Sequence, residues 1–338
     1  SKQADISLLR IVATLAVIWL HTNNTLTTNR ETFQLTDFQF KLFSCGYSVM
    51  NWAVPVFFMI TGHLLLQEDR EIVYNTCIKK YAKRIFLALF IFGIPFSMME
   101  IYMSTRTLSI DLLWNSILNV MEGKSWGHLW YLYALIGIYL ILPFVKAATD
   151  HMERNQIKAL LIVLLVFNFF FPLVENPTGI EFGFYIPISS FSLFYLIAGK
   201  YVSDYWKLKR RSSALVGCIC GLVCICCVVI GVNNFSGLVA CSSPLIVVLS
   251  IAVFMMFRGV QVDDGWTERL WKIDRLCFGV YLIHPLFINF VYKFLKITPV
   301  SFDMWWLMVL VFWVLFVCCG FLTSWVMSKI KPLKKYVL

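Results

Sequence analysis

Long apolar runs separated by short polar connections dominate the chain, and the length of the runs, with no sustained period-two alternation, sets the expected elements. At roughly 17 to 25 apolar residues per bilayer crossing, the pattern predicts ten spanning helices. They fall near residues 7–24, 46–66, 84–103, 128–146, 157–172, 188–203, 213–232, 241–258, 276–294 and 304–327. The longest polar connections lie near 23–45, 104–127 and 259–274, and no low-complexity linker or repeat marks off a soluble domain. The expectation is an all-α, polytopic membrane helical bundle, a single transmembrane domain over residues 1–338. The first apolar run lacks a small-residue cleavage site and is expected to stay in the mature chain as a helix.

Composition moves the same way. Hydrophobic residues make up 59% and charged residues 14%, with a mean hydropathy of +0.75, which excludes an ordinary soluble domain. Of the 29 lysines and arginines, 23 fall on the N-terminal segment, the even-numbered loops and the tail. By the positive-inside rule both termini are then cytoplasmic. This bias, with anionic lipid, accounts for the net charge of +10 and leaves no basic, aromatic-interleaved surface for nucleic acid. Cys218, Cys220, Cys224, Cys226 and Cys227 crowd one span and read as small apolar fillers, so neither a metal site nor a disulfide framework is expected.

Polar residues inside the runs are the candidates for chemistry. Arg10 and His21 lie eleven residues apart in the first span, within about 20° on one helix face and about 16 Å apart along the axis. Such a stripe fits a buried site, and it equally fits an arginine snorkelling to the headgroups with a histidine at the far end. Thr61 follows Pro55 in a span weakened by Gly62, a pattern shared by packing kinks and by polar pockets. Lys79-Lys-Tyr-Ala-Lys-Arg84 suits either a topology signal or the phosphates of a nucleotide-bearing donor. His128 lies between Trp126 and Trp130 at an outer interface, and His284 sits deep in an apolar run beside Pro285.

Taken in order, Leu9-Arg10 with His21, Val54-Pro-Val-Phe-Phe-Met-Ile-Thr-Gly62, the basic run, His128-Leu-Trp-Tyr-Leu132 and Phe278-Gly-Val-Tyr-Leu-Ile-His-Pro285 resemble the acyltransferase-3 family of integral membrane acyltransferases. Within it the chain is similar to stand-alone bacterial members of the enterobacterial common antigen O-acetyltransferase type. The resemblance implies a multi-pass protein of the bacterial plasma (inner) membrane. Its co-substrate would be cytoplasmic acyl-CoA, most simply acetyl-CoA, with no permanently bound cofactor. The acceptor would be a hydroxyl of an extracytoplasmic glycan or an undecaprenyl-linked sugar, with membrane lipid as the other partner. The same resemblance implies Arg10 and His21 as the essential pair, Lys80, Lys83 and Arg84 as contacts to the CoA phosphates, and Thr61, His128, Trp130, Tyr281 and His284 as pocket residues. The chain departs from the pattern at Thr61 and Cys277, where serine is usual, and at Tyr81 inside the basic run.

O-acyl transfer needs a base for the hydroxyl proton and a stabiliser for the tetrahedral oxyanion, and His21 suits the first role. Arg10, nearer the cytoplasm, suits the donor's phosphate or pantetheine arm. A small-molecule transporter on the same membrane domain, as in the membrane part of vancomycin-resistance serine racemases, is the alternative. An inactive scaffold for polysaccharide assembly is a third. Oligomeric state is not encoded in these motifs.

Overall fold

The computed structural model describes residues 3–106, 109–184, 186–231 and 235–338, and among them it is helical with no strands. Thirteen helices of eleven residues or more are found among the described residues. In chain order they are α1 (Ala4–Thr28), α2 (Asp37–Val49), α3 (Ala53–Leu65), α4 (Lys83–Thr105), α5 (Ile110–Met121), α6 (Trp130–His151) and α7 (Arg154–Leu165). There follow α8 (Phe191–Tyr205), α9 (Arg210–Ile230), α10 (Pro244–Phe257), α11 (Asp264–Asp274), α12 (Cys277–Asn289) and α13 (Trp305–Met327).

Eight helical segments are long and apolar enough to cross a bilayer, which makes the chain a multi-pass membrane protein. They match eight of the ten expected spans. The expected spans at 188–203 and 241–258 correspond to the shorter α8 and α10, of 15 and 14 residues, which run between the same two ends inside the bundle. At 1.5 Å per residue these reach only about 21–23 Å, short of a hydrocarbon core of about 30 Å. Local chemistry sets their starts: Ser190 and Ser243 accept backbone N–H groups at the N-caps, and Pro244 occupies the first turn of α10. Both helices are enclosed by protein. Every residue of α8 from Ser192 to Val202 is buried, and Ile246, Leu249 and Phe254 of α10 are buried. α8 and α3 touch backbone to backbone, since a Cβ on Gly62 would lie 1.8 Å from the Leu196 carbonyl oxygen and one on Gly199 would lie 2.1 Å from that of Met59.

α1 is the hub, contacting α2, α3, α10, α11, α12 and α13. Its neighbours explain its tolerance for Asp5, Arg10 and His21 in an apolar context, because polar groups there face protein rather than lipid. The long connections are partly helical as well. α5, with Leu112, Ser116 and Val120 buried and Ile110, Trp114 and Met121 exposed, lies against α4 inside the segment expected to be a polar loop.

Cross-chain bonds divide the bundle into two ends. Asp5 with Arg258 (2.7 Å), Arg84 with the Val337 carbonyl (2.7 Å) and Arg210 with the Met256 carbonyl (2.9 Å) join the basic-rich loops and the C-terminal segment at one end. Asn51 with the Val239 carbonyl (2.8 Å) and Lys41 with that of Val229 (3.2 Å) join the sparse loops at the other. This is the pairing that the basic-residue asymmetry requires.

Candidate functional site

Two parallel helices carry the site. α1 is pinned to the end of α11, just before α12 begins, near the basic end, where Arg10 Nη1 donates to both carboxylate oxygens of Asp274, at 2.7 and 2.6 Å. Ser7 Oγ donates to the same carboxylate at 3.0 Å. Asp274 is nearly buried while Arg10 keeps about a third of its side chain exposed. Eleven residues further along α1 stands His21, and ten residues beyond Asp274 stands His284. α1 and α12 run side by side from this point, and the rings of His21 and His284 lie 5.1 Å apart, centre to centre.

A third histidine joins them from the opposite strand of the bundle. A single 3₁₀ turn, Gly127–Leu129, precedes α6 and places His128 6.2 Å from His21 and 5.8 Å from His284. Tyr281, one turn before His284, anchors that turn by donating its hydroxyl to the His128 carbonyl. Its ring stands 5.7 Å from that of His128.

Hydrogen bonding limits what each ring can do. His284 Nδ1 lies 3.1 Å from the Val280 carbonyl, which only accepts, so in the neutral ring Nδ1 carries the proton and Nε2 offers a lone pair. The Nε2 atoms of both His284 and His128 are buried with no protein partner among the described residues. Buried polar atoms are almost always satisfied, so two adjacent orphans leave room for a water or a polar ligand atom to bind.

The cluster borders a cavity of about 800 Å³, at the end away from Arg10, through two of its rings. His21 and His128 line it, with the polar groups Asn24, Thr25, Asn51 and Asn289 above them and Trp126 and Trp130 on one side. Trp126 is held by stacking on Phe96, at 4.3 Å and 9°. Aromatic faces with amide and hydroxyl groups form a surface able to hold a polyhydroxylated molecule.

Of the sequence-predicted residues, the fold therefore gathers His21, His128, Tyr281 and His284 into one cluster, with Trp130 on the cavity wall. Arg10 stands apart, toward the basic end. Lys80 lies on a π-helical turn, Cys77–Ala82, and is exposed at that end with Lys83 and Arg84. Arg84 donates Nε to the Val337 carbonyl and lies over the Phe278 ring at 5.7 Å. Thr61 does not line the cavity; its hydroxyl donates to the Phe57 carbonyl of its own helix at 2.8 Å. Sequence reasoning missed Asp274, although a carboxylate ten residues before His284 mirrors the spacing from Arg10 to His21.

Comparison with known proteins adds one match. The family model described as an acyltransferase domain covers residues 3–328. No curated protein and no solved structure matches the chain.

Proposed function

The chain belongs to the acyltransferase family whose model spans residues 3–328, and from that premise we propose that this membrane acyltransferase moves an acyl group, acetyl in the simplest case, from acyl-CoA to a glycan hydroxyl. The donor is taken from the cytoplasmic side of a bacterial plasma membrane and the acceptor from the other. The observation that carries the reading is the convergence of His21, His128 and His284, the first two of which line a cavity with aromatic and amide side chains.

In this reading the acceptor oxygen attacks the thioester carbonyl as His21 takes its proton. A protonated ring nitrogen of the trio donates to the oxyanion. Collapse of the tetrahedral species breaks the C–S bond, and the proton passes from His21 to the departing CoA sulfur. His284 Nε2, fixed as an acceptor by the Nδ1 contact to Val280, is suited to orient an N–H of His21.

The donor binds at the basic end, with its phosphates near Lys80, Lys83 and Arg84. Arg10 Nη1 is committed to Asp274, and the rest of the guanidinium is available to the donor's arm. An extended pantetheine arm is suited to the distance of about 16 Å implied by eleven helical residues between Arg10 and His21. The transport alternative has no support in the family match.

The test is acyl transfer by purified protein in liposomes. Radiolabelled acetyl-CoA supplied to the basic face should label a glycan fraction present only at the opposite face, one thiol being released per acyl group moved. Labelled small-molecule uptake with no thioester loss would replace the reading by transport.

A further inference from the structure

The wall of the histidine cavity is uneven. Toward α1 and the Gly127–Leu129 turn its rim is polar, but on one side it is bounded by Met99, Tyr102 and Met103 of α4 and by Phe290 and Phe294 beyond α12. These five line the cavity and are also 37–52% exposed at the outer surface of the protein. The rim is therefore apolar where cavity and exterior meet.

Its depth can be placed by helical rise. Lys83 and Cys277 start α4 and α12 at the basic end. Met99 to Met103 then lie about 24–30 Å along, and Phe290 to Phe294 about 20–26 Å, within a hydrocarbon thickness of about 30 Å and in its far half. The residues of this rim therefore face lipid tails. Phe290–Phe294 is also a π-helical turn, a local widening that recurs at functional sites.

Lys293 lies within that turn, exposed, and lines the same cavity. Of the other charged groups on the wall, Lys124 is paired with Glu122 at 2.7 Å, and Glu100 stands on α4. Lys293 makes no ion pair among the described residues. A cation at the junction of a lipid-facing gap and a polar chamber matches an amphiphile with an apolar tail, an anionic joint and a hydroxylated head. The methionines suit a flexible hydrocarbon chain.

We propose that the gap between α4 and the Phe290–Phe294 turn is a lateral portal for a lipid-anchored acceptor. A polyprenyl-type chain stays in the outer half of the bilayer, the phosphate that joins it to the sugar meets Lys293, and the sugar reaches the histidines. Glu100 and Asn289 accept or donate to sugar hydroxyls at the threshold. This inference rests on the acyltransferase reading for the meaning of the sugar, but the lipid site is testable without turnover. Nine residues, about 13 Å of helix, separate Lys293 from His284, so the acylated hydroxyl lies on a sugar close to the phosphate.

The test uses the full chain in nanodiscs and a photoreactive undecaprenyl phosphate as probe. Crosslinks should concentrate on peptides holding Met99–Met103 and Phe290–Phe294, and excess phosphatidylglycerol should not displace them. Lys293→Gln, checked for folding by its unfolding midpoint, should weaken undecaprenyl phosphate binding at least tenfold and leave the weaker binding of undecaprenol in place. Crosslinks spread evenly over the lipid-facing α9 and α13, equal displacement by phosphatidylglycerol, or equal affinity of Lys293→Gln and wild type would each overturn the portal. Lipid capture without any acyl transfer would leave the portal standing and remove the acyltransferase reading.

Discussion

Asp274 is the residue whose removal says most about how the site is held. Its carboxylate takes three hydrogen bonds from Arg10 and Ser7, and it fixes the end of α11, where α12 begins, against α1. Asp274→Asn keeps the volume and loses the charge. The expected cost is about 1.5–3 kcal/mol, the range for hydrogen bonds to a charged group, toward the lower end because Arg10 is partly exposed and screened. A lowered unfolding midpoint in detergent checks the stability, and a raised KM for acyl-CoA checks that Arg10 has been released from its position. An unchanged midpoint with unchanged KM would show that the pair positions nothing. Sequence spacing was enough to put Arg10 and His21 on one helix face. It could not reveal Asp274 as the partner, because 264 residues separate the two and only the packing of α1 against α11 joins them.

Among the elements, the contact of α3 with α8 is the least forgiving. Gly62→Ala would place a methyl group 1.8 Å from the Leu196 carbonyl oxygen, and neither backbone can yield without parting the helices. The expected outcome is a loss of about 3 kcal/mol or more, seen as loss of monodisperse protein or a large fall in the unfolding midpoint. Gly137→Ala in α6, where nothing lies within 4 Å, is the matched control and should be neutral or stabilising by up to about 1 kcal/mol. Run length predicted the eight long spans because a bilayer crossing imposes a length on the apolar pattern. It set α10 too long, 241–258 against Pro244–Phe257, and placed α8 two to three residues early, because packing against protein imposes no bilayer length on either helix. It also passed over α5, whose few buried positions look like loop residues until α4 supplies the surface they cover.

Across the whole molecule the account depends on two ends with different chemistry, a basic end for the donor and a histidine cavity for the acceptor. In a background with its cysteines replaced, a cysteine placed at Lys209 should be protected from a membrane-impermeant reagent in intact cells, and one at Asn29 should be labelled. Labelling of position 209 would invert the donor and acceptor faces. The asymmetry of lysine and arginine made the grouping of the basic-rich loops at one end legible in sequence, since charge acts loop by loop. The meeting of His128 with His21 and His284 was not legible, because it depends on how three helices are arranged in the membrane plane. The most direct measurement of the central claim is single-turnover acyl transfer by His21→Ala beside CoA binding on the same preparation. The account predicts a fall in transfer of about a hundredfold or more, as for loss of a general base, with CoA affinity retained. Near-normal transfer by His21→Ala would contradict it.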